Sequence, residues 1–147
     1  MFLGRSYDYP VSARYEIQWG VRSEVQSSSG VIVSTGLGST GWMRSIATGS
    51  CEVAAAFRAG GEALNYRPMR WDSPQLRFAV REPFPSVVTQ ATVVCGLTDA
   101  DTPLTLRSLM SENGVIFSDG MEADFLSFNA GLTVTIAVSD RKGQLVQ

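Results

Sequence analysis

The chain has no histidine among its 147 residues and only two cysteines, Cys51 and Cys95. Without histidine there is no Ser-His-Asp or Cys-His relay and no His-ligated zinc. Two widely separated cysteines make neither a metal cluster nor a disulfide framework. Each stands among small or apolar neighbours, which predicts two buried structural thiols. Charge is sparse as well: charged residues are 18% of the chain and the net charge is -2. That excludes a strongly basic surface of the kind that binds nucleic acid or anionic lipid. No apolar run approaches the roughly 20 residues of a membrane span. The opening residues Met1–Glu16 lack the apolar core and cleavage site of a signal peptide. The expectation is a cytoplasmic protein with no nucleic-acid and no membrane partner.

What is present is mostly strand pattern. Hydrophobic residues make up 44% of the chain, and a chain of this size forms one domain that buries roughly 70% of its unfolded surface. In Val11–Trp19, the residues Val11, Ala13, Tyr15, Ile17 and Trp19 alternate with Ser12, Arg14, Glu16 and Gln18, the period of a half-buried strand. Val21–Gln26 is its partner after a turn at Gly20, and Gly30–Ser34 is a short apolar run suited to a central strand. Gln75–Arg81 alternates Leu76, Phe78 and Val80. Thr89–Leu97 carries a β-branched run, Leu104–Met110 alternates Leu104 and Leu106, and Leu132–Ser139 alternates Leu132, Val134, Ile136 and Val138. Glu112-Asn113-Gly114 predicts a hairpin turn, because Asn and Gly tolerate positive φ. Ser118-Asp119-Gly120 predicts another. One helix is expected, starting at a Ser50 N-cap, running through the alanine-rich Cys51–Arg58 and stopping at Gly60-Gly61. The predicted fold class is mainly β, an antiparallel β sandwich with one short helical insertion.

The stretch Gly30–Trp42, "GVIVSTGLGSTGW", joins an apolar strand to Gly36-x-Gly38-x-x-Gly41. That spacing is the fingerprint of a dinucleotide-binding turn when a parallel strand precedes it and a crossover helix follows. Here alternating strands precede the turn. Glu62, at about the distance of the acidic residue such a unit needs, stands beside a Gly-Gly break instead of at a strand end. The Rossmann reading is therefore set aside. Glycines still let a ligand approach the backbone, and free N–H groups at a turn or helix start favour phosphate. Ser39 or Thr40 could instead cap the following helix, and Trp42 could be a packing anchor.

The same stretch resembles the D-G-x-[IV]-V-[ST]-T-P-T-G-S-T-A-Y segment of the NAD kinase family. The closing "SENGVIFSDGMEADFLSFNAGLTVTIAVSDRKGQLVQ" is similar to that family's final segment, and the similarity extends over most of Val11–Gln147. "SARYEI" and "EVQSSSGVIVSTGLGSTGWMRSI" resemble a branch whose members are often named sugar kinases. About Thr48 to Arg70 carries no family signal. The resemblance is to the β-rich C-terminal, substrate-binding domain alone, so residues 1–147 are read as one such domain without the N-terminal catalytic α/β domain. The family's Gly-Gly-Asp-Gly motif, with the aspartate that activates the attacking hydroxyl, is not matched: Gly60-Gly61 is followed by Glu62-Ala63.

Carried over residue by residue, the resemblance implies that Thr40, Gly41 and Trp42 line a dinucleotide site, that Ser45 faces it, and that Gly38 and Ser39 shape its turn. It implies no catalytic residue and no metal ligand in this chain. For the complete enzyme it implies NAD as acceptor, ATP with Mg²⁺ as donor, and a homo-oligomer. Alone, the chain is predicted inactive; Asp119-Gly120 is explained as a turn. Two departures stand out. Ser29 replaces the family's aspartate, and Gly36-Leu37 replaces Pro-Thr, which predicts a more flexible loop. The function expected is acceptor binding in a phosphotransferase acting on a nucleotide hydroxyl. The alternative is a non-catalytic ligand-binding or oligomerisation module.

Overall fold

The computed structural model describes residues 1–5, 11–58, 65–118 and 124–141. The alternating stretch forms β2 (Ala13–Trp19), with Ala13, Tyr15 and Ile17 buried and Trp19 half-buried, while Val11 lies before the strand and is exposed. Gly20, at φ +59°, and Val21 reverse the chain into β3 (Arg22–Ser28), paired from Trp19↔Arg22 to Ala13↔Ser28. Glycine takes that left-handed φ without the steric cost of a Cβ.

The apolar run forms β4 (Gly30–Ser34), buried along its whole length. It is buried because it is central: β1 (Phe2–Arg5) pairs on one side and β5 (Leu76–Arg81) on the other, both antiparallel. With β6 (Cys95–Thr98), β8 (Gly114–Phe117) and β9 (Leu126–Ser127), these strands form a sheet in the order β6-β5-β4-β1-β8-β9. A second sheet, β10-β7-β2-β3, adds β7 (Leu104–Ser108) and β10 (Thr133–Ile136). Leu3, Val31, Val33, Phe78 and Ile116 of the first sheet share one core with Tyr15, Ile17, Leu104 and Leu106 of the second. The other face of the first sheet buries Phe2, Ile32, Ala79, Val115 and Phe117 against Met43 and Ile46 of α1 (Trp42–Phe57). The chain is therefore mainly β, with antiparallel pairing throughout the described ladders and one α-helix among the described residues.

Several expectations change. The helix begins at Trp42, so Ser50 lies inside it and is not its cap; Gly41 holds the N-cap position with no side-chain bond. The helix ends at Phe57 with Arg58 extended at φ -92°, ψ 116°; Gly60-Gly61 lies outside the described residues, as do Glu62, Asp119 and Gly120. The early start was hidden because Thr48 and Gly49 are weak helix formers; a Cβ at Gly49 would meet nothing, so packing does not force the glycine. Asn113 does take φ +58°, but the turn does not close a hairpin. It passes the chain from β7 in one sheet to β8 in the other, because β8 pairs with β1 and a local turn signal carries no information on which strand will be the partner. The cysteines are not fully buried. Cys51 is half-buried on α1 and Cys95 is exposed on edge strand β6, where apolar sequence neighbours do not cover it. Desolvation still raises the Cys95 thiol pKa against the opposing pull of Arg77. The β-branched run from Thr89 becomes strand only from Cys95 on. Among the described residues no helix is long and apolar enough to cross a membrane.

Candidate functional site

At the end of β4, Ser34 is buried and its hydroxyl donates to the Thr35 carbonyl (2.9 Å). Thr35 Oγ1 accepts from the Gly38 N–H (3.2 Å), which starts a 3₁₀ turn over Leu37–Thr40. Ser39 N–H and Gly41 N–H donate to the Gly36 and Gly38 carbonyls (both 3.2 Å), and α1 follows from Trp42. In a 3₁₀ turn, residues three apart eclipse one another. The glycine spacing therefore resolves into two faces, Gly36 with Ser39 and Gly38 with Gly41.

The first face is packed. Ser39 is fully buried; its hydroxyl donates to the Gly36 carbonyl (2.6 Å) and accepts from the Met69 N–H (3.1 Å). The Tyr66 hydroxyl donates to the Ser39 carbonyl (2.9 Å). A Cβ on Gly36 would lie 1.9 Å from the Arg70 carbonyl oxygen. Glycine stands at position 36 because another backbone is in contact with it.

The second face opens on a groove of about 860 Å³. Gly38, Gly41 and Trp42 line it together with Phe2, Ile32 and Thr35, and Phe117, Ser118 and the segment 135–139 form further wall. Trp42 is 37% exposed; its ring stacks on Phe2 (5.7 Å between centroids, 12° between planes) and carries the Arg81 guanidinium 4.9 Å from its centre. It is a packing anchor as well as a wall. Among the described residues no side chain lining the groove is charged, though Met1 also lines it and its terminal ammonium donates to the Val33 carbonyl (3.0 Å); Ser34, Thr35, Ser118, Thr135 and Ser139 supply hydroxyls.

Of the six residues expected at a site, three line this groove: Gly38, Gly41 and Trp42. Ser39 sits behind the turn. Thr40 and Ser45 are exposed and outside the lining, and neither Ser39 nor Thr40 caps α1. Sequence reasoning missed Thr35, which adjoins the turn, Ser118, which the first sheet brings near by seating β8 beside β1, and the end of β10, which comes from the other sheet. It also missed the segment from Tyr66 to Arg70, which has no periodicity to betray it.

The shifted carboxylates serve the scaffold. Arg107 and then Ser23 lower the pKa of Glu16, Gln75 and the Thr102 N–H that of Asp99, each against some desolvation. Among the described residues no three His, Cys, Asp or Glu side chains are grouped to hold a metal. No protein-family model matches this chain, and no curated protein does.

Proposed function

We propose that this chain is the acceptor-binding part of a phosphotransferase similar to the NAD kinases, and that the groove receives the uncharged, nucleoside end of a dinucleotide. The observation that carries the reading is the division of the glycine turn. The residues that resemble the family's dinucleotide loop put Gly38, Gly41 and Trp42 on a groove of about 860 Å³, a size that suits a drug-sized or nucleotide-sized ligand. Apolar walls suit a base, and a few hydroxyls suit a ribose. Among the described residues no lining side chain is a cation, and the terminal ammonium of Met1 is bonded to the Val33 carbonyl (3.0 Å), so a dinucleotide's phosphates would lie outside the groove. Magnesium favours carboxylate oxygens and phosphates, and among the described residues the groove lining supplies no carboxylate; a metal–ATP complex would be held by other residues. What the groove's own residues contribute is binding and orientation, which in phosphoryl transfer is most of the protein's task.

The lack of charged side chains among the described lining residues favours, as a second reading, a module that holds its ligand without chemistry of its own. Calorimetric titration with NAD tests the first reading, using the wild type and Gly41→Val. A Cβ at Gly41 meets only the Gly38 carbonyl, at 3.6 Å, and the branched side chain would occupy groove volume. The expected result is NAD binding that weakens at least tenfold, about 1.4 kcal/mol, with an unchanged melting temperature. No binding, or equal binding by both proteins, would refute it. Magnesium-dependent NADP formation by the 147-residue chain would overturn the view that the chain binds without catalysing.

A further inference from the structure

Three glycines in six residues and a single 3₁₀ turn do not hold a fixed shape unaided, because glycine is permissive and 3₁₀ hydrogen bonds are poorly aligned. Something else must hold Gly38 and Gly41 in place. We propose that the segment 66–73 is a strap that fixes the mouth of the groove from behind, and that Tyr66 is its positioning residue; this rests on reading the groove as a ligand site.

The strap meets the turn only on the face turned away from the groove. Tyr66 Oη donates to the Ser39 carbonyl, Met69 N–H donates to Ser39 Oγ, and the Arg70 carbonyl is wedged where any side chain at position 36 would stand. The strap is itself anchored on the sheet that carries the turn. Arg77 of β5, paired with Ser34 at the base of the turn, donates to the Arg67 carbonyl (3.3 Å) and stands 5.3 Å from the centre of the Tyr66 ring. The circuit from Ser34 through Arg77, Tyr66 and Ser39 back to Ser34 is closed by hydrogen bonds, a cation–π contact and chain. Cation–π contacts of this kind favour one ring placement over others. The residues that touch a ligand, Gly38, Gly41 and Trp42, are thus set by residues that do not touch it.

This arrangement also accounts for position 36. The resembled family carries proline there, and the strap's backbone leaves no room for one. Strap and Gly36 belong together, and a chain with this strap presents a groove mouth whose shape is its own.

The test uses the full chain and Tyr66→Phe, which keeps the ring and its packing and removes only the hydroxyl. Amide hydrogen exchange is followed residue by residue, and NAD is the titrant. Protection of the Ser39, Gly41 and Arg44 amides, all hydrogen-bonded in the turn and first helical turn, is expected to fall at least tenfold. Protection of Val31–Val33 and Phe78–Val80 stays within twofold, and NAD affinity falls at least fivefold. Unchanged protection at those three amides would overturn the proposal. So would an equal loss in β4 and β5, which would mark Tyr66 as a general stabiliser, or unchanged NAD affinity in a protein whose turn has loosened. Gly36→Ala should act in the same direction and more strongly; if it does not fold, Tyr66→Phe decides alone. Failure of the wild type to bind NAD would refute the proposed function, while the exchange comparison would still decide whether the strap holds the turn.

Discussion

Glu24 is the clearest place to test how the sandwich is held. It lies on edge strand β3 with its side chain directed inward and only 7% of it exposed. Its Oε1 accepts the Thr92 N–H and Val93 N–H (both 2.9 Å) and the Gln26 amide (2.5 Å), and its Oε2 accepts the Thr92 hydroxyl. Desolvation opposes ionisation here. The donors, led by the Thr92 hydroxyl and the Val93 N–H, outweigh it and bring the carboxyl from 4.5 down to about 2. A depressed folded-state pKa means that the stabilisation is complete above the unfolded value and is lost as pH falls from about 4.5 toward 2. A shift of this size corresponds to roughly 3 kcal/mol at neutral pH. Glu24→Gln keeps the shape and removes the charge. Urea denaturation followed by circular dichroism, at pH 7 and at pH 3, compares the two proteins. The variant should be less stable by roughly 2–3 kcal/mol at pH 7, in line with hydrogen bonds to charged groups. The gap should shrink by more than half at pH 3. Glu16 and Asp99 titrate in both proteins and cancel in the difference. A gap independent of pH would refute the reasoning, because the carboxylate would then owe its place to packing and not to its charge.

Tyr15→Phe should cost about 1–3 kcal/mol in urea denaturation, since the buried Tyr15 hydroxyl donates to Gln26 Oε1 (3.1 Å) and its loss strands that oxygen, while Ser28 Oγ (2.6 Å from it) keeps the Gly30 N–H; a neutral variant would mean that Gln26 Oε1 finds another donor. Glu16→Gln, which weakens the exposed cross-strand pair with Arg107 (2.7 Å), should change stability by less than about 1 kcal/mol. A larger loss would make that pair a structural clamp.

The strands that were legible in the sequence are those whose core-facing residues alternate with polar or small ones. β2 shows its apolar residues at every second position because the sandwich core lies on one side; β5 shows Leu76, Phe78 and Val80 with the same period although its other face buries Ala79 beside α1. β4 was legible for the opposite reason, being covered on both faces. β1 was invisible, since Phe2-Leu3-Gly4-Arg5 is too short to show a period. The partner of β8 was hidden as well, because pairing across the chain leaves no local mark. At the candidate site the glycine spacing pointed to the right loop but not to its division. Only the packed structure separates Gly36 and Ser39, which face the strap, from Gly38 and Gly41, which face the groove. Thr40 and Ser45 seemed equivalent to these in sequence, yet helical rotation carries both away from the lining.

The order of the first sheet has a kinetic consequence. β1 stands between β4 and β8, paired Phe2↔Ile32 on one side and Phe2↔Phe117 on the other. The second pairing joins segments more than a hundred residues apart. The hairpin β2–β3 closes through Gly20 and needs no distant partner, so it is suited to form early. The larger sheet cannot be completed until β8 finds β1. Closing so long a loop costs entropy before any contact rewards it, and chains dominated by such pairings fold in milliseconds to seconds. Until that step, the outer edge of β1 stays open to other chains. Crowded, newly made molecules would therefore be most prone to associate wrongly along β1, the strand whose Phe2 lies on the groove.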